Sequence, residues 1–112
     1  MTVYQYVVGH FPEFQSYVVN EPDWYRDDFN YGVANRVLDF AVDLKRRGDV
    51  ETLGRLFHHI ELGLSRDDIE NPLCLDFVQR IPDIAAEYKD DFVQLLGPEA
   101  RRCYDNDRIP GF

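Results

Sequence analysis

The stretch DVETLGRLFHHIELGLSRDDIENPLCLDFVQRI, residues 49–81, decides the fold class. Val50, Leu53, Phe57, Ile60 and Leu64 recur at steps of three and four, and Leu56 widens the stripe. That spacing lines one face of an α-helix. Leu73, Phe77, Val78 and Ile81 repeat the pattern after an acidic turn, Arg66-Asp67-Asp68-Ile69-Glu70-Asn71-Pro72. Asn71-Pro72 reads as an N-cap followed by proline at the first helical position.

The same logic extends outward. Upstream, Val33, Val37, Leu38, Phe40, Ala41 and Leu44 mark a long helix that begins between Asp23 and Asn30 and ends at Arg47. Gly48 stands just past its C-terminus, behind Lys45, Arg46 and Arg47. Asp49 caps the next helix, so the two should form a tight antiparallel hairpin. Residues 2–19 carry both strand propensity and helical spacing. Pro12 interrupts any single helix there, which predicts a short helix, a break and a second short helix. Downstream, Pro82 and Asp83 mark a boundary after Ile81. Ile84, Tyr88, Phe92, Leu95 and Leu96 describe a further helix ended by Gly97, and Pro98 opens a last one through about Tyr104. Asp105 to Phe112 reads as a tail. The expectation is all-α: one domain, residues 1–112, folded as a compact antiparallel bundle of about five helices.

A chain of 112 residues is long enough for one core, and 45% apolar residues favour a packed globule over disorder. The net charge of −9 disfavours nucleic acid and anionic membranes as partners and favours a basic protein. No apolar run approaches a membrane span, and the N-terminus lacks the basic start and apolar run of a signal peptide. Cys74 and Cys103 are the only cysteines. With nothing marking the chain as secreted, both are expected to be reduced thiols in a cytoplasmic protein.

Reaction chemistry is poorly represented. Ser16 and Ser65 lie in no nucleophile motif. The glycines are scattered singly, so no phosphate loop is present. His58 and Glu61 share a helical face, but only His10 remains as a further imidazole, and a metal site needs more ligands than these. No enzyme activity, metal or cofactor is expected. The carboxylates are more suggestive. Asp23, Asp27 and Asp28 surround the aromatics Trp24, Tyr25, Phe29 and Tyr31, and Asp67, Asp68 and Glu70 occupy one connection. Should both groups lie at one end of the bundle, they would form a negative patch suited to a basic cleft. Trp24 and Phe29 then either close the core beneath the loop or stand at the centre of an interface.

The run from Gly48 to Ile81, with Leu95-Leu96-Gly97-Pro98-Glu99-Ala100-Arg101-Arg102-Cys103-Tyr104 after it, resembles a loose family of short all-helical bacterial proteins. Their pattern is "gd…l…iF..iE", a polar turn, "v.n.....Fl..l", and later "LGp.sr". Many look like immunity proteins encoded beside polymorphic (Rhs or contact-dependent) toxins. His58-His59 interrupts the pattern, and Pro82 falls where similar chains continue. The resemblance implies a stoichiometric inhibitor that binds a cognate protein toxin inside the producing cell by covering its active or essential surface. It transfers no catalytic residue. The contact set expected here is Trp24, Asp27, Asp28, Asp67, Asp68 and Glu70. The alternative is an acidic adaptor or phage-type inhibitor whose face mimics nucleic acid.

Overall fold

The architecture is built around one helix. In the computed structural model, which describes residues 1–106, α3 (Asn30–Arg47) runs through the middle of the molecule and buries Gly32, Val33, Ala34, Val37, Leu38, Phe40, Ala41, Val42 and Leu44. Burial over so wide an arc means that other elements pack against it on several sides. These are α1 (Val3–His10) with the 3-10 segment Pro12–Tyr17, α2 (Asp23–Asp28), α4 (Val50–Gly63), α5 (Glu70–Asp76) and α6 (Ile81–Ile84). A 3-10 segment Val78–Arg80 joins α5 to α6, and another, Ala86–Tyr88, leads into α7 (Lys89–Leu95). The last helix, α8 (Pro98–Tyr104), packs on α4 and α5. All described elements are helical, and the buried apolar side chains form one core.

Local signals explain the ends that matter. Residues 3–10 are helix, not strand. Thr2 forms a capping box with Gln5, its hydroxyl accepting from the Gln5 N–H at 3.1 Å while the Gln5 side chain accepts from the Thr2 N–H at 3.0 Å. Pro12 then breaks the helix, as expected. Gly48 caps α3 with φ +73°, in the left-handed region that glycine occupies without a Cβ penalty. The Asp49 carboxylate accepts from the Thr52 N–H at 3.2 Å and starts α4. The α3–α4 hairpin is therefore as expected.

The helices are shorter and more numerous than about five. Residues 23–47 are two helices because Phe29 leaves helical geometry at φ −109°, ψ +64°. Asn71 is not an N-cap: α5 begins at Glu70, and Asn71 and Pro72 lie inside its first turn. The apolar pattern over 73–81 and 84–96 is divided among α5, α6, α7 and two 3-10 segments, with breaks at Phe77 and Ala85. Of the expected tail, Asp105 and Asn106 follow α8, and residues 107–112 lie outside the described residues.

The cysteines require a correction. Cys74 on α5 and Cys103 on α8 are joined as a disulfide, with Cα atoms 5.6 Å apart, and both are fully buried. They stand 29 positions apart in sequence. Only the docking of α8 against α5 brings them within bridging range.

Candidate interaction surface

The α2 segment Asp23–Asp28 buries none of its six residues. It rests on α3 through two half-covered rings. Tyr25 and Phe29 meet edge to face with centroids 5.4 Å apart, and both lie over Gly32. A Cβ at Gly32 would come within 2.6 Å of the Phe29 ring and 2.9 Å of the Tyr25 hydroxyl. The glycine thus lets both side chains approach the α3 backbone closely. Trp24 lies beside this base, its ring tilted 37° to that of Phe29 at 6.3 Å, and remains 56% exposed, with Phe29 at 44% and Tyr31 at 42%. These aromatics do not close the core. They form an exposed platform.

Carboxylates frame the platform. Asp23 pairs with Arg26, whose guanidinium also lies 5.7 Å from the Tyr4 ring of α1. Asp27 and Asp28 are exposed and form no ion pair with any described residue. The second acidic group sits on the α4–α5 connection. Asp67 is exposed and likewise forms no ion pair with a described residue. Asp68 accepts from the Met1 ammonium at 3.0 Å and lies 3.6 Å from Arg66. The hydrogen bond from that ammonium holds the Asp68 carboxyl below its ordinary pKa. Glu70, at the start of α5, is half-buried.

The start of α1 links the two groups. Met1 reaches Asp68, and two residues later the Val3 N–H donates to the Asn30 side chain at 2.9 Å, at the first position of α3. Tyr4 then lies under Arg26 of α2. The structure therefore brings both acidic connections to the same end of the molecule, on either side of the N-terminal turn of α1. Trp24, Asp27, Asp28 and Asp67 are open there. Asp68 is partly neutralised, and Glu70 is set back.

The residues considered for metal ligation have other duties. Both Glu61 carboxylate oxygens accept backbone N–H groups at the start of α8, from Ala100 and Glu99, each at 2.9 Å. A Cβ at Gly97 would stand 2.6 Å from the Glu61 carboxyl carbon, so the glycine is what admits the side chain. Ile60-Glu61 and Leu96-Gly97-Pro98 of this chain thus lie on the two sides of one contact. His58 points to solvent, while His59 stacks on His10 of α1 with centroids 3.9 Å apart. Among the described residues no group of three or more His, Cys, Asp or Glu side chains is arranged to hold a metal ion. Sequence reasoning missed the Glu61 clamp and the histidine stack, because each joins residues distant along the chain.

No helix among the described residues is long and apolar enough to cross a membrane. No curated protein matches the chain, and no solved structure does. A family model described as Domain of unknown function (DUF7674) matches residues 4–109, nearly the whole chain, and the protein belongs to that family.

Proposed function

We propose that the protein is a binding protein of the immunity type, which neutralises a cognate bacterial toxin by occluding its active or essential surface. The observation that carries this reading is α2, a helix with no buried side chain that presents an aromatic platform ringed by carboxylates. Only Tyr25 and Arg26 of this helix are even partly covered, so the exposed Trp24, Asp27 and Asp28 need another explanation. Exposed Trp and Phe supply the desolvated centre of an interface, and Asp27, Asp28 and Asp67 supply the charge that draws in a basic partner. The aromatics favour this reading over a mimic of nucleic acid, which needs spaced charge without apolar anchors.

No covalent step and no cofactor enter the mechanism. Binding is steric, with carboxylates facing basic residues of the toxin. The reading places the encounter in the cytoplasm of the producing cell. The bonded Cys74–Cys103 pair no longer argues for that compartment, so the localisation rests on the immunity role alone.

Finding a toxin gene beside the protein's own, and then co-purification with its product and titration of the complex, tests the proposal. The triple change Trp24→Ala, Asp27→Asn, Asp28→Asn should abolish measurable binding while leaving the fold intact. A complex that forms equally well with the triple variant at high salt would refute this surface.

A further inference from the structure

The three histidines have no part in the surface above, yet they gather at the other end of α1. His10 ends that helix and lies face to face with His59 of α4, the ring planes 24° from parallel. His58 meets the edge of His59 at 5.7 Å, and Phe11 does so at 5.6 Å. Other charged groups near the stack are positive. Arg55, one turn earlier on α4, holds its guanidinium 5.2 Å from the Phe11 ring. From α1, the Tyr6 hydroxyl donates to the His59 carbonyl at 2.7 Å, with the Arg66 guanidinium 5.9 Å from its ring. Among the described residues no carboxylate pairs with any of the three imidazoles. The His59 Nδ1 is buried and has no hydrogen-bond partner.

Two neutral imidazoles stack favourably. Two imidazolium rings in face-to-face contact repel, and a buried N–H without an acceptor adds a desolvation cost. Among the described residues no carboxylate pairs with the stack to offset either effect. Burial first, then His10, His58 and Arg55, hold the His59 pKa below its ordinary value. The unfolded chain therefore takes up the proton more readily than the folded one. The stability carried by the stack is complete above the ordinary histidine value near 6.5 and is lost as pH falls through it.

We propose that the His10–His59 stack is a pH-sensitive latch that fastens α1 to α4 when neutral and releases it when protonated. The far end of α1 is the turn that lies between the two acidic groups. Release at the histidine end therefore disturbs the acidic face as well. That consequence rests on the function proposed above, whereas the latch itself does not.

Amide hydrogen exchange over α1 in the free, full-length protein tests the latch, at about pH 7.5 and about pH 5.5 on either side of the histidine range. Rates are corrected for intrinsic pH dependence and referred to α8. Protection of α1 in the wild type should fall measurably more than that of α8, because the released helix takes up the His59 proton more readily than the stack does. His59→Phe keeps the stacked ring but cannot charge, so its α1 protection should hold; His10→Phe makes the same comparison from the other side. An equal fall in wild type and both variants, or no fall in the wild type, would overturn the proposal. A His59 titration midpoint by NMR at or above the ordinary value would do so too. No partner is needed, so this outcome is independent of the toxin-binding test.

Discussion

Individual side chains divide cleanly between holding the molecule together and facing outward. Glu61 belongs to the first kind. Glu61→Ala leaves two N–H groups at the start of α8 without their acceptor, and should cost about 1–3 kcal/mol in denaturant unfolding. Glu61→Gln, with one acceptor oxygen in place of two, should recover part of that loss. Trp24 belongs to the second kind. Trp24→Ala should weaken partner binding by about 2 kcal/mol or more by calorimetry, while moving the unfolding midpoint little. The sequence revealed the types of these residues but not their assignments. Glu61 was visible as a neighbour of His58 because helical spacing is local, whereas its real partners stand 38 and 39 positions away. Trp24 could be named as an anchor or as a core residue. Its exposure among the described residues is what separates the two.

Elements were legible where their boundaries are chemical and illegible where they are geometric. Lys45-Arg46-Arg47-Gly48-Asp49 contains a basic last turn, a left-handed cap and an N-cap, and the hairpin formed where those signals placed it. Gly48→Ala should lower stability by about 1 kcal/mol, read as a drop in thermal midpoint, because alanine is strained at φ +73°. Between Glu70 and Leu95 the apolar residues keep a helix-like rhythm through bends at Phe77 and Ala85, so periodicity alone joined short pieces into longer helices. The α5–α8 bridge leaves no mark in the sequence beyond two cysteines. Closing a loop between positions 29 apart stabilises a chain by about 3.6 kcal/mol in the entropic account. Adding a reductant should lower the thermal midpoint of the wild type, and Cys74→Ser should remove that response.

At the scale of the whole molecule, charge and proton binding set the working range. A surface this acidic makes association with a basic partner sensitive to salt, chiefly through the on-rate, and stopped-flow measurements across ionic strength should show a steep decline. At high pH a different group takes over. The Tyr17 hydroxyl is partly buried and donates to Asp43 at 2.6 Å, and burial followed by that hydrogen bond raises its pKa well above 10.0. The folded state thus holds the phenolic proton more tightly than the unfolded chain. This contribution is complete below pH 10 and drains away above it, so Tyr17→Phe should flatten the alkaline limb of the stability curve. Helical periodicity foretold the fold class, and the sum of charges foretold the sign of the surface potential. Where the negative charge collects depends on how α1 threads between two connections, which no sum contains. One last consequence concerns change over generations. Because Trp24, Asp27 and Asp28 of α2 are exposed, mutations at those positions escape most of the stability cost that constrains the core. On the function proposed above, recognition can then drift through those positions while the scaffold stays as it is.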